Sequence, residues 1–153
     1  MLGSTDGVRL PRRGLRLPDP APDPASNKDR RAEFERLASL ARRAEASGFD
    51  SVWVTDDGGA VPKPPGGFEL LFEAYSLLGA LAIRTESVGL GVVPRGPTVR
   101  SPSMVAKIVT GIDVISHGRA LLSLGLEAGG GLDPVDRLGE ELDVCRALLT
   151  EDA

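Results

Sequence analysis

Cysteine and histidine are nearly absent from this sequence, which holds one of each, Cys145 and His117. A single thiol excludes an internal disulfide, and this agrees with a reducing compartment. The scarcity also argues against a zinc site of the His/Cys type and against a Ser-His-Asp triad, for which the sequence has no Gly-x-Ser-x-Gly elbow. We expect no metal site, with Cys145 in the core and His117 in a last helical turn, where a cation compensates the helix dipole.

Long apolar runs and an excess of one charge are missing as well. No segment approaches the roughly 20 apolar residues that span a membrane, and the N-terminus lacks the apolar core of a signal peptide. With 18 Lys+Arg against 22 Asp+Glu, the formal net charge is −4, which gives no electrostatic reason to bind nucleic acid or an anionic membrane. Composition therefore indicates a cytoplasmic protein of one globular domain.

Proline divides the chain into two parts. Residues 1–28 are rich in proline, and the Pro/Asp alternation from Pro18 to Pro24 excludes helix and central strand. Within this segment, the residues from Gly14 to Leu17 form a possible short first strand. Residues 29–153 alternate between helical and strand patterns and are predicted to form the folded domain.

The folded part alternates helices with strands at regular spacing. Strands are predicted at residues 49–55, 88–93 and 119–126. The predicted apolar helix faces are Phe34, Leu37, Ala38, Ala41 and Ala44; Leu71, Ala74, Tyr75, Leu78 and Ala82; Val105, Ile108, Val109, Ile112 and Ile115; and Leu138, Leu142, Cys145, Leu148 and Leu149. Gly48 and Gly118 are predicted to end two helices, and Ser101 and Asp136 to cap two others.

Strands that alternate with helices in this way predict a parallel α/β sheet with right-handed crossovers. Two architectures fit the pattern: a partial (β/α)8 TIM barrel of about four strand–helix units, or an open doubly wound parallel sheet. A complete barrel needs about 250 residues, and this chain has 153. In either architecture, Trp53 is predicted to fill the interface between sheet and helices.

The most informative polar feature is the pair Asp56-Asp57, which directly follows a predicted strand. Ligands of parallel α/β folds bind at the carboxyl ends of the strands. Two adjacent carboxylates there can hold a proton, accept hydrogen bonds or bind a hard cation, although Asp-Asp-Gly-Gly is equally typical of a turn. Val93, Pro94 and Glu127 follow at the ends of the next two strands, so the pattern predicts one common rim.

Four segments in this order resemble the luciferase-like monooxygenases, the flavin- and deazaflavin (F420)-dependent barrel oxidoreductases. The segments are residues 40–55, 87–107, 110–125 and 137–151. The second contains Arg100-Ser101-Pro102, which is similar to the family's Arg-x-Pro helix opening. The third resembles its Asp-x-x-Ser-x-Gly-Arg segment, and here the matching residues are Asp113, Ser116, Gly118 and Arg119.

The resemblance implies a flavin or F420 ring lying across the carboxyl ends of the strands. Asp56 matches a family position at the end of strand two, and Val93-Pro94 matches the bulge after strand three, which often backs the ring. The stretch from Gly125 to Glu127 lies where the family lines the ring or the substrate. Many F420-dependent members have histidine where this chain has Asp57, and this exchange replaces a reference pKa near 6.5 by one near 4.

Three functional hypotheses follow from the resemblance. The first is an oxidoreductase that transfers hydride to or from FMN or F420, with Asp57 handling the proton and two half-barrels pairing as a homodimer around a small-molecule substrate. The second is a truncated, non-catalytic relative that binds the cofactor weakly or serves as an assembly partner. The third is a gene fragment without independent activity.

Overall fold

The computed structural model describes residues 12–19, 30–56, 72–94, 100–125 and 133–150. Within these ranges four strands alternate with four helices. The elements are β1 (Gly14–Arg16), α1 (Arg30–Ala46), β2 (Ser51–Asp56), α2 (Ala74–Ala82), β3 (Gly89–Pro94), α3 (Pro102–Ser116), β4 (Ala120–Leu121) and α4 (Pro134–Thr150). The possible first strand is thereby confirmed, and it pairs with β2.

The described strands are all parallel and follow the order β1-β2-β3-β4, so each pairs with its neighbour in sequence. The β2–β3 ladder runs from Ser51 opposite Gly89 to Asp56 opposite Pro94. A doubly wound sheet reverses its strand order at a switch point, and the four described strands contain no reversal. The partial barrel is confirmed, and the open doubly wound alternative is wrong.

One face of the sheet carries the apolar core. Successive side chains of a strand point to opposite faces, and Val52, Val54, Leu90 and Val92 on one face are each at most 3% exposed. They form a single cluster with residues of α1, α2 and α3. The helices therefore cover the outer face, and the opposite face is the one that a barrel would enclose.

The faces predicted for the first two helices are those that pack on the sheet. In α1 the buried residues are Leu37, Ala38, Ala41 and Ala44. In α2 they are Ala74, Leu77, Leu78, Leu81 and Ala82, while Tyr75 is half-buried. Gly48 follows α1 with a φ of 78°, as its predicted role requires. Leu71 lies outside the described residues.

The third helix begins as predicted but ends differently. The Ser101 side chain accepts a hydrogen bond from the Met104 amide, and Pro102 opens α3. Ile115 is exposed, contrary to its predicted place on the buried face, and Ser116 takes that place. Ser116 Oγ accepts a hydrogen bond from the Arg119 amide at 3.2 Å, so bonding at the helix end turns the hydroxyl inward. His117 adopts a left-handed φ of 58° as the C-cap.

The placement predicted for Trp53 is wrong. Its neighbours Val52 and Val54 face the helices, so Trp53 points to the inner face and not into the sheet–helix interface. The indole Nε1 donates to Ser51 Oγ at 2.8 Å. Gly14 and Gly91 flank the indole on the adjacent strands, and an ideal Cβ on Gly91 would lie 2.4 Å from the ring. The indole therefore lies flat across the inner face.

The fourth strand is shorter than the predicted residues 119–126, with ladder pairing at Ala120 and Leu121 only. Beyond it the Ser123 hydroxyl donates to the Val92 carbonyl at 2.5 Å. A side chain thus takes a ladder position that a backbone amide would otherwise occupy. Within the described residues β4 is an edge strand, and an edge strand is held by one neighbour alone.

The apolar face predicted for α4 is also wrong in part. Cys145 is buried as expected, and Glu141 is the other buried residue, but Leu142, Leu148 and Leu149 are exposed. Asp133, rather than Asp136, caps this helix, because its carboxylate accepts from the Val135 amide at 2.8 Å. The apolar stripe of α4 therefore faces away from the core described here.

Two charged side chains lock the sheet to the helices at its amino-terminal end. Arg119 donates to the carbonyls of Ala82, Thr85, Val88 and Ser116 and to the Thr85 hydroxyl. The Glu45 carboxylate accepts from the amides of Glu86, Ser87 and Val88, which lead into β3. Burial raises the pKa of Glu45, but these hydrogen bonds outweigh burial and leave the pKa lowered.

Candidate functional site

The structure brings together the predicted site residues that it describes at the carboxyl ends of β2, β3 and β4. Asp56 lies opposite Pro94 in the β2–β3 ladder. Gly125 follows β4 and packs on Pro94 so closely that an ideal Cβ would lie 2.8 Å from the proline Cγ. Three segments distant in sequence thus form one rim.

Val93 and Pro94 are half-buried and pair regularly with Thr55 and Asp56. A bulge inserts an extra residue into one strand of a ladder, and no extra residue occurs as far as Pro94. The residues that follow Pro94 lie outside the described ones, so a bulge after strand three stays a prediction. Asp57 and Glu127 lie outside the described residues, and their roles stay predictions.

Asp56 is 8% exposed and forms an ion pair that the sequence did not indicate. Its Oδ2 accepts from Arg100 Nη1 at 2.6 Å, and Arg100 Nη2 donates to Glu73 Oε1 at 2.9 Å. The guanidinium also lies over the Tyr75 ring, with 5.1 Å between Cζ and the ring centroid. Arg100 therefore joins the end of β2 to the start of α2 and neutralises charge at the rim.

The start of α2 stabilises the ionised form of a second carboxylate in this group. Glu73 caps α2 by accepting from the amides of Tyr75 and Ser76. Burial raises the pKa of Glu73, but the hydrogen bonds from Ser76 and Tyr75, together with the charge of Arg100, outweigh it and lower the pKa. Burial, followed by the negative charge of Asp56, raises the pKa of Tyr75. These shifts keep Glu73 charged and the phenol of Tyr75 neutral at neutral pH.

Before the carboxyl ends of the strands, side chains of this chain already cover the inner face. Trp53 occupies the space above Gly14 and Gly91, and the Leu121 side chain would lie 3.0 Å from an ideal Cβ on Gly89. Beyond Trp53, the inner-face side chains of β2 and β3 nearest the rim are Thr55 and Val93.

Besides Arg100, the structure reveals a second cation that the sequence did not indicate. This cation is Arg16, and it lies on the inner face. Arg16 Nη1 donates to Thr55 Oγ1 at 3.0 Å and to Asp19 Oδ2 at 2.9 Å. Thr55 is two residues beyond Trp53 on the same face and is paired with Val93. The sequence feature that could have indicated this placement is the alternation around Arg16. Its neighbours Leu15 and Leu17 pack on the core, so Arg16 must point to the other face.

The motif residues of the Asp-x-x-Ser-x-Gly-Arg segment lie at the opposite end of the sheet. Asp113 Oδ1 accepts from the Ala120 amide at 3.1 Å, and Arg119 makes the carbonyl contacts described above. Gly118, with a φ of 83°, follows the C-cap His117. These residues fix the connection from α3 to β4 and are remote from the rim.

Metal ligands and membrane spans are both missing from the described part of the chain. It contains no group of three or more His, Cys, Asp or Glu residues arranged to hold a metal ion. None of its helices is long and apolar enough to cross a membrane.

Comparison with known proteins agrees with this geometry. The family model for luciferase-like monooxygenases matches residues 17–153. The chain belongs to the luciferase-like monooxygenase family. The match begins one residue after β1 ends and contains β2, β3, β4 and the four described helices.

Curated relatives of this family member include two enzymes. One component of pristinamycin IIA synthase from Streptomyces pristinaespiralis is 35% identical over 117 residues, which cover 76% of this chain and 39% of the relative. The F420-dependent glucose-6-phosphate dehydrogenase of Amycolatopsis mediterranei is 32% identical over 113 residues, covering 69% of this chain and 30% of the relative. The chain thus spans less than half the length of either relative.

A solved structure gives the same architecture. The oxygenating constituent of 3,6-diketocamphane monooxygenase from Pseudomonas putida, in complex with FMN, superposes with a TM-score of 0.59 at 20% identity. The match covers 88% of this chain and 38% of that structure. At this identity the likeness concerns the fold alone.

Proposed function

We propose that this chain carries part of the cofactor site of an oxidoreductase that uses F420 or FMN and acts on a small-molecule substrate. The observation that carries the proposal is the convergence of Asp56, Pro94 and Gly125 on one rim, at the strand ends where parallel α/β folds bind ligands. The F420 dependence of one relative and the FMN bound to the structural neighbour support the choice of cofactor.

In this proposal a planar ring would lie at the described rim. Val93 and Pro94 offer half-buried apolar surface, and Gly125 allows the β4 segment to approach Pro94 closely. When bound, either cofactor would supply the hydride acceptor or donor. Asp56, held by Arg100, would contact the ring or the substrate from a fixed position. Gly125 to Glu127 would line the ring from the β4 side.

Asp57 is the proposed proton-handling group. With a reference pKa near 4, an aspartate at neutral pH accepts a proton and does not donate one. A histidine at this position would do both near neutrality. The proposal therefore assigns Asp57 the role of a base, next to a carboxylate that Arg100 has already neutralised.

Pairing of two copies as a homodimer is part of the proposal. Within the described residues, β1 and β4 each have a strand on one side only. Rotation by half a turn about an axis parallel to the strands would place β4 of each copy beside β1 of the other, with all strands still parallel. This arrangement would also cover Trp53 and Leu121 on the inner face.

Titration with FMN and, separately, F420 tests the proposal, with cofactor fluorescence and molar mass by light scattering measured together. Saturable binding by a dimer is the expected result. Gly125→Ala should weaken binding about tenfold, because a Cβ there displaces the Pro94 ring. Gly139→Ala is the matched control, since a Cβ on Gly139 meets no atom within 4 Å.

Absence of binding at high concentration of both cofactors would contradict the proposal. It would favour the non-catalytic relative that acts as an assembly partner. Binding by a monomer would retain the cofactor site and refute the homodimer.

A further inference from the structure

We propose that Arg16 and Thr55 form an oxyanion-binding subsite on the inner face of the sheet, for a carboxylate or phosphate group. The inference deepens the proposed function and rests on it for its biological ligand, which would be the cofactor or the substrate held at the same rim.

The first argument is the position of the guanidinium. Leu15 and Leu17 pack on the core, so Arg16 between them points to the opposite, inner face. Its bond to Thr55 carries the side chain along β2 towards the carboxyl ends of the strands. Thr55 is paired with Val93, and the cation therefore lies at the level of the rim.

The second argument is the hydrogen-bonding capacity that remains. Both described bonds of Arg16 come from Nη1, one to Thr55 and one to Asp19. Nε and Nη2 have no hydrogen-bond partner within the described part of the chain, and 54% of the side chain is exposed. These two nitrogens form one edge of the planar guanidinium, whose spacing matches the two oxygens of a carboxylate or phosphate.

The third argument is preorganisation. An exposed ion pair such as Arg16–Asp19 contributes little to stability by itself. Together with the buried Thr55 hydroxyl, however, it fixes the guanidinium in one orientation and leaves the other edge presented. A donor that is already oriented loses less conformational entropy when its ligand binds. The Asp19 carboxylate also offsets much of the charge, so recognition would depend on directed hydrogen bonds.

Titration with inorganic phosphate, followed by the ¹⁵N NMR signals of the arginine Nε–H groups, tests the subsite independently of cofactor binding. The signal missing from the Arg16→Gln spectrum identifies Arg16. In the unaltered protein we expect this signal to shift saturably, and in Arg16→Gln we expect phosphate to bind at least about tenfold more weakly. Arg43→Gln, at an exposed position of α1, should leave the affinity unchanged.

Two further variants keep the test decisive if Arg16→Gln fails to fold. Arg16→Lys keeps the charge but loses the planar edge, and Thr55→Val removes the anchor of Nη1. Each should weaken phosphate binding several-fold, and unchanged affinity in both would overturn the subsite. Absence of any phosphate-dependent shift in the unaltered protein would also overturn it, whether or not FMN binds.

Comparison of FMN with riboflavin identifies the source of the oxyanion. If Arg16→Gln weakens FMN and leaves riboflavin unchanged, the subsite holds the cofactor phosphate. If it weakens phosphate alone and leaves both flavins unchanged, the subsite serves an anionic substrate. Equal weakening of FMN and riboflavin with phosphate binding retained would refute the oxyanion role and indicate a contact to the ring.

Discussion

Removal of the Arg119 guanidinium should cost this fold a large part of its stability. In Arg119→Met, the carbonyls of Ala82, Thr85, Val88 and Ser116 lose a charged donor that lies 2.7 to 3.1 Å away. A hydrogen bond contributes about 1 kcal/mol net, so the four carbonyls together predict a loss of about 4 kcal/mol. Domains of this size have a free energy of unfolding of about 5–15 kcal/mol.

Urea denaturation followed by the fluorescence of Trp53, the sole tryptophan of the chain, would measure this loss. Arg119→Lys retains the charge but reaches fewer carbonyls, and we expect about half the effect. Arg43→Met replaces an exposed arginine of α1 and should change the free energy of unfolding by less than about 0.5 kcal/mol. A loss below about 1 kcal/mol in Arg119→Met would refute the reasoning, because water would then satisfy these carbonyls equally well.

Three further predictions concern backbone strain, acid stability and packing. His117→Gly should raise the free energy of unfolding by about 1 kcal/mol. Residue 117 has a φ of 58°, and this left-handed conformation destabilises a residue with a side chain by roughly that amount. An unchanged or lower melting temperature would contradict this. Glu45 has a pKa below its usual 4.5 in the folded state, so its contribution is complete above pH 4.5 and is lost as the pH falls through the folded-state pKa. Glu45→Gln should therefore flatten the acid limb of stability against pH, and an unaltered limb would exclude this role. Gly91→Ala places a Cβ 2.4 Å from the Trp53 ring. It should lower the free energy of unfolding by about 1–3 kcal/mol and shift the tryptophan emission. In the control Gly111→Ala the new Cβ has no atom within 4 Å, and this variant should not destabilise the protein.

The sequence predicted the elements well because hydrophobic spacing is a local property. Leu37, Ala38, Ala41 and Ala44 recur at helical spacing, and that spacing alone identified the buried face of α1. The order of elements then restricted the sheet to two topologies. Strand order decided between them, and strand order depends on pairing across long stretches of chain.

Local spacing predicts which residues share a face, but it does not predict which part of the protein that face packs against. Trp53 alternates with Val52 and Val54, yet it was assigned to the helix side of the sheet, where the valines are. The apolar stripe of α4 is real, but Leu142 and Leu148 lie on an exposed surface. Amphipathic spacing predicts a helix without predicting its neighbour.

The candidate site was predicted only at the level of the rim. Asp56 and Pro94 were assigned to it because parallel strands end on the same side, and Gly125 because of the family resemblance; the structure brings the three together. Arg100 pairs with Asp56 across 44 residues, and Arg16 bonds to Thr55 across 39. Neither spacing nor composition carries information on contacts so distant in sequence, so both cations were missed.

The strand order has a consequence for how the protein forms. Because β2 pairs with β1, β3 with β2 and β4 with β3, every ladder joins segments made one after the other on the ribosome. Each of β2, β3 and β4 therefore pairs with a strand that was synthesised before it. Contacts between units adjacent in sequence favour fast folding. We expect the sheet to assemble from β1 onwards during synthesis, one unit at a time.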